Sequence, residues 1–248
     1  MEKITSRKNP LVTHLKKLGA SRAYRYERGE FLCDGEKLLR EAVSCGAEVT
    51  AALTESAALP SELPGLPFSF AGEGLLDFVS PLKNAQDVIF SCRMPVWQAS
   101  DGRRILLDGI QDPGNLGAIL RTARAFQTAC VFLTGECADP YNPKAVRASM
   151  GAVFRQPVIA LSLAELRAMV DGGVTLYGAA LGEASRDIRE TVLKNAALAV
   201  GSEGRGLSEE VLALCAEKIV IPMSVGTESL NAAAAAAILL WEASKTEL

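Results

Sequence analysis

A single histidine, His14, is all the imidazole the 248-residue chain carries. Zinc sites built on His and Cys, and Ser/His/Asp triads, need more than that, so any chemistry here works without them and no metal is expected. No CxxC pair occurs. Cys33, Cys45, Cys92, Cys130, Cys137 and Cys215 are scattered, mostly within apolar stretches, and read as small reduced core residues. No apolar run reaches the roughly 18 residues a bilayer span needs. The N-terminal MEKITSRKNPLV lacks the apolar centre of a secretory signal, so a cytoplasmic location is expected. Neither a Walker A loop nor a GxGxxG is present, which removes the main support for P-loop NTPases, kinases and dinucleotide enzymes. What remains is 49% hydrophobic and 22% charged, with a mean hydropathy of +0.17. That is the composition of a compact chain of one large or two modest domains.

The net charge of -3 is polarised. Residues 1–28 hold eight Lys and Arg against Glu2 and Glu27, an excess of six, so the remaining 220 residues sum to -9. A basic pole of this kind suits a phosphate-bearing partner, and a solvated charged helix would look the same. Leu11, Leu15 and Leu18 fall at helical spacing with Lys16 and Lys17 off that face, which predicts an amphipathic helix. FLCDG (31–35) reads as a strand, and 35–46 as a helix with Leu38, Leu39, Ala42 and Val43 inward. VTAALT and GLLDFVS continue the alternation around a proline-rich loop at 58–67. Residues 1–95 therefore form a small α/β domain in this reading, closed by a linker that ends at Arg104.

From 104 to 248 the pattern is more regular. Strands are expected at 104–108, 130–134, 157–161, 175–181, 197–201 and 218–222, with helices at 116–126, 144–153, 163–171 and 208–216 and an alanine-rich helix at the end. Apolar strands alternating with helices imply a parallel sheet covered on both faces. Ligands in such sheets sit at the carboxyl ends of strands, so the loops after Leu107, Thr134, Gly201 and Pro222 are the candidates. In the first, Asn115 stands as an N-cap beside Gly114 and Gly117, with Arg121 and Arg124 off the apolar side. The second sets Lys144, Arg147, Ser149 and Arg155 around a helix; the third places three glycines and Glu203 directly after a strand. The last leads into six alanines, Ala232 to Ala237, which let another backbone approach closely in a tight core or a subunit interface.

Taken in order, NxGAxxRTAxAF (115–126), PKAVRASMGAVF (143–154), GSEGRGLS (201–208) and IPMxxxxESLNxxxAAAILL (221–240) resemble the SpoU/TrmH group of RNA 2'-O-ribose methyltransferases, within the SPOUT superfamily. The N-terminal part is similar to the small RNA-binding domain that precedes the catalytic domain in many members. Gln127, Ser202 and Thr227 depart from residues usual in that group.

The resemblance implies a C-terminal α/β domain with a parallel sheet and a deep trefoil knot, dimerising in part through the alanine-rich helix. It implies S-adenosyl-methionine bound near Gly201, Ile221, Met223 and Leu230. It assigns removal of the ribose proton to Arg121, whose high pKa favours the weaker role of orienting the hydroxyl and its phosphate. Asn115 is implied to hold Arg121 or the ribose, Glu203 to pair with Arg121, and Ser229 and Asn231 to complete the site. Arg7, Lys8, Lys16, Lys17, Arg22, Lys144 and Arg147 are the expected RNA contacts. The expected substrate is large-subunit rRNA, with tRNA, or a noncatalytic RNA-docking role on the same fold, as alternatives.

Overall fold

The computed structural model describes residues 2–82, 85–182, 185–193, 196–224, 226 and 229–245; Thr227 lies outside them. The chain begins with β1 (Lys3–Ile4), α1 (Pro10–Ala20), α2 (Arg22–Arg28), β2 (Glu30–Asp34) and α3 (Glu36–Ser44). β3 (Val49–Thr54), α4 (Leu59–Glu62), β4 (Phe68–Ala71), α5 (Leu75–Val79) and β5 (Val88–Arg93) follow. After these come β6 (Arg104–Asp108), α6 (Pro113–Ala125), β7 (Cys130–Thr134), α7 (Pro143–Ser149), a 3-10 turn at Ala152–Phe154, and β8 (Val158–Ala160). The last elements are α8 (Leu163–Asp171), β9 (Leu176–Ala179), β10 (Arg186–Asp187), β11 (Ala197–Gly201), α9 (Glu209–Leu212), β12 (Glu217–Val220) and α10 (Ala232–Ser244). Two compact units result, Met1–Val96 with Asp139–Phe154, and Trp97–Ala138 with Arg155–Leu248.

In the first unit a five-stranded sheet runs β1-β4-β3-β5-β2, with β5 antiparallel to both its neighbours. Asn9 caps α1 ahead of Pro10, and the helix buries Val12, Leu15 and Leu18 while Lys16 and Lys17 stay exposed. Ser21 caps α2, and Gly29 at φ +61° ends it. Val43, expected inward on α3, is 39% exposed, because the buried stripe is narrower and holds Leu38, Leu39 and Ala42. The proline-rich loop contains one helical turn, α4, since a proline at the first helical positions costs no hydrogen bond.

The segment Asp139–Phe154 enters the core of this unit through Tyr141, Val146, Val153 and Phe154, which join Phe31, Leu39 and Phe90. The helix expected over 144–153 stops at Ser149, where Met150 and Gly151 take φ of +50° and +91°. Gly151 is bare for a reason: a Cβ there would stand 2.3 Å from Cγ of Glu41.

Asp139 also holds Arg25. The guanidinium donates from Nε (2.9 Å) and a terminal nitrogen (2.6 Å) to Oδ2, and from its third nitrogen to the Leu18 carbonyl at 2.7 Å. Tyr26 Oη and the Tyr141 amide donate to Oδ1. Arg25 and Asp139 are 3% and 6% exposed, so Arg25 is a structural cation and leaves the basic pole one charge smaller than the sequence suggests. Breaking a buried pair strands the partner charge at a cost of about 3–5 kcal/mol. Arg25→Ala is therefore expected to lower the unfolding free energy by that much, read as a lower urea midpoint, while exposed Arg22→Ala stays within about 0.5 kcal/mol. Equal midpoints for the two variants would show that the pair does not hold the segment.

The second unit is a seven-stranded, fully parallel sheet ordered β10-β12-β9-β11-β6-β7-β8. β6, β7, β11 and α8 occupy the spans the sequence predicts. α6 starts earlier than expected. Asp112, not Asn115, is its N-cap, accepting from the Asn115 amide at 2.9 Å, and Pro113 sets the first helical φ. Gln127 follows α6 at φ +54°, a left-handed position that favours glycine. α9 is shorter than the expected 208–216, and the last strand ends at Val220 rather than Pro222. α10 lies on α6, with Ala232, Ala236 and Ala243 buried and Trp241 against Phe126 at a centroid distance of 5.7 Å. All six cysteines are free thiols, and burial pushes Cys130 up to about 12 and Cys215 to about 11.

Candidate functional site

β12, β9 and β11 are neighbours in the parallel sheet, so their carboxyl ends open on the same rim. A cavity of about 600 Å³ lies there. Its walls are Ala179, Ala180 and Leu181 after β9, the loop from Gly201 to Leu207 after β11, Ile221 and Met223 after β12, and Ser229, Leu230, Ala232 and Ala235 leading into α10.

The loop after β11 is held tightly. Ser202 and Gly206 exchange backbone hydrogen bonds of 3.1 and 2.9 Å. A Cβ on Gly201 would fall 2.0 Å from the Gly206 carbonyl carbon, so this position admits only glycine. Gly206 sits at φ +70°. Ser208 then donates through its amide and its hydroxyl to Oδ2 of Asp108, 2.7 Å each, which ties the loop to the end of β6.

At the mouth of the cavity a carboxylate is fixed by two amides. Glu203 Oε1 accepts from Asn115 Nδ2 at 2.8 Å, from Asn231 Nδ2 at 2.6 Å and from the Ala232 amide at 3.3 Å. Asn231 Nδ2 also donates to Asn115 Oδ1 at 3.0 Å, while Asn231 Oδ1 caps α10 by accepting from the Ala233 and Ala234 amides. The carboxylate thus rests at the N-terminal end of α10 and accepts from three donors.

Arg121 stands apart. It lies six residues beyond Asn115 on α6, about 240° round the helix. It is exposed and is not part of the cavity wall. Among the described residues it makes no hydrogen bond or ion pair. The expected Glu203–Arg121 pair is replaced by the bonds from Asn115 and Asn231, because Glu203 faces the start of α10.

The other expected positions divide cleanly. Gly201, Ile221, Met223, Leu230, Ser229 and Glu203 line the cavity, and Asn115 and Asn231 brace its mouth. Arg7, Lys8, Lys16, Lys17, Arg22, Lys144 and Arg147 are exposed in the N-terminal unit. Arg7 and Lys16 lie over the Phe78 ring at 4.7 and 3.2 Å, Lys17 over Tyr24 at 5.5 Å and Arg22 over Tyr26 at 5.6 Å. Of the four loops singled out in the sequence, those after Leu107 and Thr134 contribute no residue to the cavity wall, the first reaching it only through the bond from Asn115 to Glu203, and the one after β9 was missed. The rule about carboxyl ends, applied to TLYGAAL, would have placed Ala179 to Leu181 there.

Residues 102–241 match the model of the SpoU rRNA Methylase family. The chain belongs to that family. Among its SpoU relatives, the 23S rRNA (guanosine(2553)-2'-O)-methyltransferase RlmP of Bacillus subtilis is 34% identical over 97% of this chain and 98% of its own. The AdoMet-bound rRNA methyltransferase from Sinorhizobium meliloti superposes with a TM-score of 0.87 at 28% identity, covering 100% of this chain and 98% of that one. The SpoU methyltransferase AviRb from Streptomyces viridochromogenes, in complex with the cofactor AdoMet, gives a TM-score of 0.87 at 27% identity over 97% and 98% of the two chains. Among the described residues of this SpoU family member, no helix is long and apolar enough to cross a membrane.

Proposed function

We propose that this SpoU family member transfers a methyl group from S-adenosyl-methionine to a ribose 2'-hydroxyl of large-subunit rRNA in the cytoplasm. The observation that carries the reading is the Asn115–Glu203–Asn231 cluster braced at the mouth of a glycine-walled cavity. The cavity fits the donor: its 600 Å³ is within the range of cofactor sites, and Glu203, Arg205 and Ser229 set polar groups into a wall that is otherwise mostly apolar. When bound, the donor supplies an electrophilic methyl on a sulfonium.

The residues supply the rest. Gly201, Ile221, Met223 and Leu230 hold the donor, and Glu203 with the two asparagines fixes the mouth where the ribose arrives. Arg121, charged and without a partner in the described fold, meets the incoming RNA and orients the hydroxyl through its neighbouring phosphate. The second unit, within residues 104–248, performs the transfer, ending in the knotted segment that the resemblance implies, and residues 1–95 bring the RNA through the cations on α1 and α2. A homodimer forms through α10, where Ile238 and Trp241 are exposed one turn apart.

The test is transfer of tritiated methyl from S-adenosyl-methionine to total RNA from a strain lacking the gene. Label in the large-subunit rRNA, recovered after alkali as a 2'-O-methyl dinucleotide, is expected. Label confined to tRNA would reassign the substrate. No label, with donor binding intact, would make the chain a docking protein.

A further inference from the structure

The N-terminal unit contains an open cavity, of about 440 Å³, that the methyl-transfer reading leaves unused. His14, Tyr24, Arg28, Glu30 and Thr50 line it. We propose that it receives one unpaired base of the RNA substrate and selects bases that carry an exocyclic amino group. The proposal rests on the reading of RNA as substrate and names a second point of contact on it.

The cluster is organised around a nearly buried carboxylate. Glu30 opens the edge strand β2 with its side chain 11% exposed. Oε2 takes His14 Nε2 at 3.0 Å and Thr50 Oγ1 at 3.1 Å, and Oε1 takes an Arg93 guanidinium nitrogen at 3.1 Å. A carboxylate has about four acceptor sites, so one on Oε1 is left. Thr50 reaches Glu30 because β3 slips register against β5 between Val49 and Ala51, and the extra residue at such a bulge has its side chain re-aimed. Ser91 Oγ stands 2.7 Å from the Thr50 hydroxyl and supplies its proton when Thr50 donates to Glu30.

The hydrogen-bond assignment that satisfies every group has His14 donating from Nε2 to Glu30 and accepting at Nδ1 from Tyr24, 3.0 Å away. The phenol oxygen of Tyr24 is then an acceptor to which nothing donates among the described residues. The cavity therefore presents acceptors at Glu30 and Tyr24, with the donors of His14 and Thr50 already engaged and the Arg28 guanidinium at its wall. Cations border it: Arg28 lines the wall and Lys17 lies over the Tyr24 ring. Acceptors inside and cations at the rim match an amino-bearing base on a phosphate backbone, the form in which unpaired RNA is read. Adenine, cytosine and guanine have the amino group and uracil does not.

Full-length protein titrated with fluorescent oligo(A), oligo(C) and oligo(U) by anisotropy tests this. The first two are expected to bind about tenfold tighter than oligo(U), the discrimination typical of a satisfied base edge. Glu30→Gln is expected to erase the difference while oligo(U) affinity holds. Should Glu30→Gln fold poorly by circular dichroism, Tyr24→Phe, which keeps the ring and removes the phenol oxygen, is expected to narrow the difference. Arg28→Ala, outside the buried network, is expected to weaken all three alike. Equal binding of the three oligomers, discrimination that survives in folded Glu30→Gln, or discrimination left undiminished in Tyr24→Phe, overturns the proposal. Methyl transfer measured on the same preparations separates the two readings: transfer without discrimination sinks the base pocket alone, and neither transfer nor binding sinks the RNA substrate itself.

Discussion

Gly201→Ala is expected to weaken S-adenosyl-methionine binding by about a hundredfold or more, the scale of a misplacement of about 1 Å in a preorganised site. The new methyl carbon would stand 2.0 Å from the carbonyl carbon of Gly206, 2.1 Å from its oxygen and 2.3 Å from the Leu207 nitrogen. All three are backbone atoms, so no side chain can swing aside. The loop must move as a body, and it is pinned at Ser202–Gly206 and again by the two bonds from Ser208 to Asp108. Relief has to come from the cavity side, where Leu207 and Gly206 form the wall. Gly204 is the control for the loop's own packing, since a Cβ there meets no protein atom within 4 Å and φ is ordinary, so Gly204→Ala is expected to leave the loop in place and to bind the donor more tightly than Gly201→Ala. Calorimetry of donor binding, with thermal unfolding to show that each variant is folded, reads the difference. Matching affinities for the two alanine variants would mean that the loop after β11 is not the donor's cradle.

What the sequence discloses and what it conceals follow the range of the interactions. β6, β7 and β11 could be read to the residue because continuous apolar runs have one outcome in a buried parallel sheet. α8 could be read because Ser162 and Glu165 form a capping box within four residues. The break at Met150 and Gly151 could not, because it accommodates Glu41, more than a hundred positions away. Arg25 looked like seven other cations until Asp139 was found beside it. In the site, glycine positions and the polar residues after strands are local signals and were legible. The partners of Glu203 were not: Asn115 and Asn231 are 116 positions apart, and the fold gives Glu203 these two amides in place of the Arg121 that the resemblance implied.

That replacement sharpens the test of Arg121. Had it been paired with Glu203, its removal would have left a stranded carboxylate and confused stability with catalysis. With no partner among the described residues and an exposed place on α6, Arg121→Ala is expected to fold normally, with an unchanged melting temperature. It does not touch the cavity wall, so donor affinity is expected to stay within about twofold, the scatter ordinary for surface substitutions. Methyl transfer, by contrast, is expected to fall by about 10²–10³, the loss seen when one group that orients or stabilises the reacting oxygen is removed. Arg121→Lys separates the two roles the guanidinium could play. A lysine keeps the charge but loses the planar fork that grips a phosphate bidentately, so a role in orientation leaves it nearly as impaired as alanine. A role in long-range attraction alone would restore most of the rate and flatten again at high salt. Single-turnover transfer by alanine at the unsubstituted rate would remove Arg121 from the reaction and leave the Asn115–Glu203–Asn231 cluster to position the ribose unaided.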